Sequence, residues 1–447
     1  MNLPQPMHTA PTKTTTHTDR GKMASSVARR QNAQLGWSFA GCITLVLSYA
    51  IARGLMWLEW ATPQFAQTVL WCTLPYLLCA HWIYRGASLP AAERTSMLLV
   101  TTVMPFLLLM LGFALFQEPY SRGAVLLVYV LSTAWFVVGD RLRKRIRAQR
   151  LVCLDSGIAE QLKAWCGSGG LNSRDIELHP IPTDPAEASV LEAFDGVVLD
   201  RRVAANPERS RLLGRLKLGH MRLYSVETVA ELLSGRKMLP SEQDELWELD
   251  GNPAYDVAKR AMDVLMVLAT APVWLGICFL VGLAVRLNSA GPALYSQMRV
   301  GQNGHPFRLW KFRSMRHQAQ ESEAQFAQTN DARITGVGRF IRRWRLDELP
   351  QLYNVLAGHM SLIGPRPEQL TFVDAFATRI PAYTYRHLVR PGLTGWAQIQ
   401  QGYADSEEGA AVKLSYDLYY VAHYSMALDL LIFYKTVRIV LNGFGAR

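Results

Sequence analysis

Two adjacent carboxylates, Asp347 and Glu348, stand directly after three arginines, Arg342, Arg343 and Arg345, in the stretch RRWRLDELPQLYNVL. Pro350 is tolerated only in a first helical turn, so the pair belongs at the start of a helix running through Leu352 and Leu356. A helix N-terminus attracts phosphate. Two carboxylates there would repel a diphosphate unless a divalent cation and the nearby arginines neutralise the charge. A metal with an arginine clamp is the usual equipment of phosphoryl transfer. The alternative is surface pairing, Arg343 with Asp347 at i,i+4 and Arg345 with Glu348 at i,i+3, worth only about 0.2–0.5 kcal/mol per pair.

Other motifs crowd the same region, which is basic and broken by Gly and Pro. GPRPE sets Arg366 between Pro365 and Pro367, a stiff turn presenting one guanidinium at little entropic cost; a loop whose arginine pairs with a surface carboxylate is the alternative. RVGQNGHPF reads as a hairpin around Asn303-Gly304, with no chemistry assigned. The lone GxG of TGVGRF is too weak a pattern to mean phosphate binding. Ten histidines occur without HExxH or other ligand spacing.

These motifs must be positioned by a chain of 447 residues, enough for two or three domains. Half of the residues are hydrophobic, 19% are charged and the formal charge is +11. Four apolar segments, at about 36–58, 66–83, 96–116 and 123–139, approach the roughly 17–25 residues of a membrane helix. An amphipathic soluble bundle would need a polar face that is missing. Lys13, Arg20, Lys22, Arg29 and Arg30 precede the first segment and RLRKRIRAQR follows the fourth, so the positive-inside rule puts both ends in the cytoplasm. Residues 1–35, Thr-rich and basic, read as a disordered tail rather than a cleaved signal. Basic clusters beside apolar segments favour anionic lipid and phosphorylated small molecules as partners. No zinc-finger, RNA-binding or basic-zipper pattern supports nucleic acid. The six cysteines form no CxxC pair, which argues against structural zinc and a disulfide framework.

Between 148 and 240 short apolar runs alternate with helical ones, predicting a small Rossmann-like α/β domain with a parallel sheet. Its first strand-to-helix turn reads LDSGIAEQL where a dinucleotide fold needs GxGxxG, so the domain reads as structural or regulatory. A polar stretch with Pro240 and Pro253 gives a linker over 241–254. A fifth apolar run, 264–285, carries Pro272 near its middle and basic residues on both flanks, including Lys259, Arg260, Arg286 and Arg299. A helix over 261–286 that enters, breaks at Pro272 and returns to the same face fits those flanks. A kinked spanning helix is the alternative. In YDLYYVAHYSMALDLLIFYKTVRIVL, Asp417, His423, Asp429, Lys435 and Arg438 interrupt the apolar positions, which suggests helices lying in the membrane interface; burial against a soluble core is the alternative.

The ordered series RVGQNGHPFRLWKFRSM, NDARITGVGRFIRRWRLDELPQLYNVL, SLIGPRPE and RPGLTGWAQIQ resembles the bacterial sugar transferase family. These are monotopic phosphoglycosyl transferases that start polysaccharide assembly on polyprenyl phosphate. The resemblance is dense over 255–447, and the preceding parts resemble the family's large form. It implies that Asp347 is a nucleophile attacking the β-phosphorus of a UDP-sugar, expelling UMP and holding the sugar phosphate until undecaprenyl phosphate takes it. Glu348 would work with Mg2+, Arg342 would bind phosphate with Arg343 sharing the task, and Pro365-Arg366-Pro367 would contact the nucleotide. Lys311 and Arg313 of KFRSM, on the same side of a strand, could reach the membrane surface or the polyprenyl phosphate, or form a solvated basic edge. Two departures stand out: Ala271-Pro272 where Ser-Pro is common, and alanine where proline is usual in NDARIT.

The sequence therefore predicts a multi-pass protein of the bacterial inner membrane with three parts. These are four transmembrane helices over 36–140, the small α/β domain, and a mixed α/β monotopic catalytic domain over 255–447 facing the cytoplasm. Its expected substrates are undecaprenyl phosphate and a UDP-hexose, with glucose and galactose leading, and its surface has room for a homodimer. Two other classes stay open: a membrane glycosyltransferase that makes glycosidic bonds and releases UDP, and a non-enzymatic scaffold for polysaccharide export. Nothing before residue 250 carries identifiable chemistry, so a fragment from about 250 to 447 is expected to keep the reaction.

Overall fold

The computed structural model describes residues 36–57, 62–85, 94–146, 149–155, 157–166, 176–180, 194–200, 207–218, 221–239, 251, 253–315, 333–401 and 407–442. The expected tail over 1–35 and nearly all of the expected linker lie outside the described residues. The chain divides into two compact units, Met1–Ala80 with Leu108–Val229 and His81–Leu107 with Ala230–Arg447.

The apolar N-terminal segments become α1 (Cys42–Trp57), α2 (Pro63–Trp71), α3 (Thr73–Arg85), α4 (Arg94–Leu115) and α5 (Arg122–Ile146). Length and apolarity sufficient to cross a membrane are met by 36–57, by 122–142 and, further on, by 271–288; Val100–Leu115 is a shorter apolar helix. These helices mark a membrane protein. The segment expected over 66–83 is not one helix but breaks at Cys72, because Pro75 in the first turn of α3 has no N–H to continue the ladder. Small residues let helices approach: Trp37 stacks on Trp135 at 4.4 Å between ring centroids, beside Gly139, where a Cβ would lie 2.2 Å from the Trp37 ring nitrogen.

The α/β part of the first unit contains β1 (Gln149–Cys153), α6 (Ile158–Cys166), β2 (Ile176–Pro180), β3 (Gly196–Leu199), α7 (Pro207–Leu218) and β4 (Arg222–Ser225), followed by α8 (Val226–Ser234). Its four strands are parallel in the order β2-β1-β3-β4. In such sheets ligands bind beyond the strand C-termini where the order reverses, here between β1 and β3. That place holds an internal ion pair instead. Arg209 clamps both oxygens of Asp155 and donates to Asp200 O at 2.9 Å, while Asp200 N donates to Asp155 Oδ2 at 3.1 Å.

In the second unit, α9 (Pro253–Ala269) and α10 (Ala271–Asn288) are one apolar stretch interrupted at Thr270. Pro272 sits in the first turn of α10, where its missing N–H costs nothing. Thr270 Oγ1 donates to Met266 O at 2.7 Å and Trp274 Nε1 to Val267 O at 3.0 Å, so the hydroxyl absent at Ala271 is supplied one residue earlier. Both outer ends are held by one core. On α9, Arg260 donates to Leu356 O at 2.9 Å, Lys259 pairs with Asp429, and Asp263 accepts from Leu362 N at 3.3 Å. On α10, Val281 and Val285 pack with Phe312 and Ile341. Between these anchors Leu268, Val273, Phe279 and Leu280 stand exposed. Both ends of the stretch thus contact one core, with its apolar middle exposed.

The core that holds them starts with an antiparallel hairpin, β5 (Leu294–Val300) and β6 (Pro306–Phe312), turning through Asn303 and Gly304, both at positive φ. Phe307 and Leu309 on β6 pack against Val267 of α9, whereas Phe312 faces α10. Next come α11 (Gly336–Arg343) and the short α12 (Gln351–Leu356). Then β7 (Ser361–Ile363), α13 (Leu370–Ala377), β8 (Gly392–Thr394), α14 (Trp396–Gln400), α15 (Glu407–His423) and α16 (Met426–Asn442) complete the unit.

The two C-terminal helices correct part of the interfacial expectation. Leu414, Leu418, Tyr419 and Tyr420 of α15 are buried, as are Leu428, Leu431 and Ile432 of α16, so both helices are core elements and α16 keeps exposed Phe433 and Val437 on its other side. Three of the five residues that interrupt their apolar pattern have internal partners, Asp417 with Arg386 at 2.7 Å, His423 with Glu231 at 2.8 Å and Asp429 with Lys259, whereas Arg438 is exposed.

Candidate active site

Local backbone geometry sets the carboxylates. Thr335 caps α11, its hydroxyl accepting from Gly338 N at 2.9 Å, and Gly338 lies so close to Ser314 O that a Cβ would sit 2.0 Å from it. The glycine of TGVGRF thus serves packing. After α11, Arg345 adopts the left-handed conformation (φ +52°), and the chain enters a 3-10 turn, Leu346–Glu348, before Pro350 caps α12. A non-glycine residue there is strained, a feature that clusters at functional sites. Asp347 and Glu348 therefore lie in the turn just ahead of the helix, not within its first turn. Asn354 locks α12 to the open edge of β6, Oδ1 accepting from Trp310 N at 3.2 Å and Nδ2 donating to Arg308 O at 2.7 Å.

The two carboxylates live in different surroundings. Glu348 is buried, its Oε1 receiving Arg366 at 2.6 Å and Lys311 at 3.2 Å, with Arg345 3.6 Å from Oε2. Burial alone would raise its pKa, but Arg366, Lys311 and Arg345 overcome it and hold the carboxyl well below the usual carboxylate range. Asp347 is half-buried and, among the described residues, has no ion pair or hydrogen bond. Burial and the neighbouring Glu348 raise it to about 6, against the charges of Lys311, Arg342 and Arg366. One carboxylate is anchored and one is free.

The expected site residues are distributed unevenly. Lys311 and Arg366 meet on Glu348. Arg342 Nε donates to Ser314 Oγ at 2.8 Å; of the alternative surface pairs, Arg345 with Glu348 is made at 3.6 Å, while Arg343 is exposed and does not pair with Asp347 among the described residues. Arg313 corrects the reading of a shared strand face: β6 ends at Phe312, and the buried Arg313 donates to Ala290 O and, at 2.6 Å, to Ser289 O, closing the end of α10. Pro365, Arg366 and Pro367 leave β7 beside β8, and at Gly364 a Cβ would come within 2.4 Å of Arg390 O. SLIGPRPE and RPGLTGW therefore interlock through their glycines, and Arg386 donates to Arg366 O at 2.9 Å from below.

Sequence reading gave Arg299 no part beyond a basic flank and passed over Asn354, Glu368 and Arg386. Arg299 belongs to the hairpin stretch to which no chemistry was assigned, and its Nη1 lies 3.7 Å from Glu368 and 3.3 Å from Pro367 O. Glu368 is also paired with Lys413, and these cations hold it down to about 2 against burial. A single charged residue in a strand gives no sign of such a partner, since the pairing is made by elements distant in sequence.

No group of three metal-ligating side chains occurs among the described residues. Magnesium does not need one, because it retains waters and takes one or two carboxylates together with substrate phosphates. Glu348 Oε1 is committed to cations, which leaves Glu348 Oε2 and the Asp347 carboxylate as fitting ligands.

Residues 254–443 match the bacterial sugar transferase family. An Aeromonas hydrophila protein named UDP-N-acetylgalactosamine-undecaprenyl-phosphate N-acetylgalactosaminephosphotransferase is 35% identical over 92% of this chain and 95% of its own length. The UDP-glucose:undecaprenyl-phosphate glucose-1-phosphate transferase of Escherichia coli is 39% identical over 45% of each chain. A protein of the same name from Caulobacter vibrioides is 40% identical over 41% of this chain and 70% of its own. The chain belongs to the bacterial sugar transferase family.

Proposed function

We propose that this bacterial sugar transferase moves a sugar 1-phosphate from a UDP-sugar to undecaprenyl phosphate through a covalent intermediate on Asp347. The observation that carries the reading is the division of the dyad: Glu348 is fixed by Arg366 and Lys311, while the adjacent Asp347 is unpaired and partly open. An unpaired carboxylate beside cations is suited to attack phosphorus.

In the first step a carboxylate oxygen of Asp347 bonds to the β-phosphorus. The bond to the oxygen bridging the two phosphates breaks, and UMP leaves with that oxygen and the electron pair. In the second, a phosphate oxygen of undecaprenyl phosphate attacks the same phosphorus, the acyl phosphate bond breaks, and the Asp347 carboxylate is restored. Lys311, Arg342 and Arg366 lower the repulsion between anions in both steps. Bound at Asp347 and Glu348 Oε2, Mg2+ would add charge neutralisation on the phosphates.

The exposed apolar turn of α9 and α10 seats the site against the bilayer that carries the lipid acceptor. The basic flanks of the apolar segments favour a bacterial inner membrane with the site toward the cytoplasm, where a UDP-sugar is available. The Aeromonas hydrophila relative, aligned over nearly both whole chains, is named for N-acetylgalactosamine, whereas the Escherichia coli and Caulobacter vibrioides relatives, aligned over less than half of this chain, are named for glucose. UDP-N-acetylgalactosamine therefore heads the donors, ahead of the glucose and galactose expected from the sequence.

The test is release of nucleotide by purified protein with Mg2+, undecaprenyl phosphate and a panel of UDP-sugars. UMP release with transfer of label to lipid is expected. UDP release would overturn the reading in favour of glycosidic bond formation, and release of neither nucleotide with any donor would favour the scaffold.

A further inference from the structure

Beside Glu348 lies a small cleft, partly open to solvent, lined by Arg299, Leu309, Lys311, Gln351, Arg366 and Pro367. Asp347 does not line it. Three of the six lining residues are cations from three separate elements: β5, β6 and the turn after β7. Gln351 closes it from the first turn of α12. It is 3% exposed, yet its Nε2 has no acceptor among the described residues. Arg299 Nε is likewise buried without an acceptor, while its Nη2 is fixed by Gln297 at 2.7 Å. Other buried polar atoms among the described residues, Arg313 Nε and Arg386 Nε included, also lack a partner, but those of Gln351 and Arg299 belong to residues that line this one cleft. The carboxylates at the rim, Glu348 and Glu368, are already engaged by cations. Three cations and an amide donor on one cleft suit oxygens that bring their own negative charge.

We infer that Arg299 and Gln351, with Lys311, form a subsite for the phosphate of the departing nucleoside monophosphate, separate from the phosphorus that Asp347 attacks. The inference rests on the proposed reaction, and it adds the group that holds the leaving side. Asp347 is not among the residues lining the cleft, which assigns the cleft to the phosphate that stays with the nucleoside rather than to the one attacked. Donors fixed at that oxygen stabilise the charge it gains as the bond breaks. The phosphate of the lipid acceptor has the same chemistry, and the experiment separates the two.

Gln351→Glu keeps the shape and sets a carboxylate against the phosphate; Gln351→Leu keeps the bulk and removes the amide; Arg299→Lys keeps the charge and removes the fork. Binding of UMP to the full-length protein with Mg2+ would be measured by calorimetry, alongside the KM for undecaprenyl phosphate. Loss of a hydrogen bond to a charged phosphate predicts UMP binding weakened about tenfold in Gln351→Leu and Arg299→Lys, and more in Gln351→Glu, with the acceptor KM unchanged. If Gln351→Glu does not fold, the other two variants decide. UMP binding within twofold of wild type in both overturns the subsite, as does a change confined to the acceptor KM. The two readings fail apart: UMP binding lost in the variants of a protein that never releases UMP keeps the subsite and sinks the reaction. Normal turnover with unaltered UMP binding does the reverse.

Discussion

Asn354 bridges the backbone of Trp310 and Arg308 with both ends of its amide, accepting at 3.2 Å and donating at 2.7 Å. The residue after Trp310 is Lys311, and Glu348 lies six residues before Asn354. One buried side chain therefore sets the distance between a cation of β6 and the carboxylate it serves. Asn354→Leu leaves a buried N–H and a carbonyl without partners, at a cost of about 1–3 kcal/mol. The melting midpoint in detergent should fall by several degrees, at roughly 2–4 °C per kcal/mol for a body of this size, and nucleotide release should fall with it. An unaltered midpoint would show the bridge to be idle.

Asp347→Asn should abolish both turnover and the trapped sugar-phosphate adduct while the fold persists. Its pH dependence is a second readout. The folded pKa of Asp347 is raised from 3.8 to about 6, so the native state binds this proton more tightly than the unfolded state does. The contribution of Asp347 to stability is thus fully present below 3.8 and lost as pH rises through about 6. The asparagine variant should melt higher than wild type at pH 7.5, with the gap closing toward pH 4. Normal turnover in Asp347→Asn would remove the assigned role.

Glu348→Gln has the opposite sign. The folded pKa of Glu348 is depressed, so its stabilisation is present above the ordinary carboxylate value and lost only as pH falls through the folded one, in strong acid. Removing this charge at neutral pH leaves Lys311 and Arg366 without their counter-ion, a cost of about 3–5 kcal/mol. The variant should melt lower and need more Mg2+ for half-maximal rate. A superimposable Mg2+ titration would assign Glu348 to architecture alone.

Where the chain is cut should matter more than the sequence suggests. Gly235 O accepts from the Nε1 of Trp396, which is 1% exposed, at 2.7 Å, and Lys237 N donates to Ser415 O at 2.9 Å. Glu231 lies 2.8 Å from His423. Residues 230–239 are thus part of the second unit, and a fragment beginning near 250 strips a buried donor of its acceptor. A fragment from about 228 should fold and release UMP, whereas one from about 250 should melt lower or aggregate. Equal stability of the two would show that these bonds are dispensable.

The break between α9 and α10 predicts a labelling pattern. Cysteines at Ala258→Cys and Asn288→Cys, at the two anchored ends, should react with an impermeant thiol reagent from the same side of intact vesicles. Labelling from opposite sides would mean that the segment crosses and that its ends do not share one core.

Much was legible in the one-dimensional pattern because the relevant physics is local. Apolar runs announced the membrane helices, Pro272 announced the break, and Asn303-Gly304 announced the turn between β5 and β6, each from the backbone preferences of a few residues. Adjacent carboxylates after a run of arginines limited the chemistry to something anionic, since charge density is a property of neighbours. What local pattern could not decide was assignment between like residues. Lys311 and Arg313 are both basic and two apart, yet one reaches Glu348 and the other closes α10, because β6 stops between them. Asp347 and Glu348 are adjacent acids, yet Arg366, 18 residues further on, selects only the second. Partners brought together by the chain's return decide which charge is neutralised and which stays reactive, because an ion pair depends on distance in space.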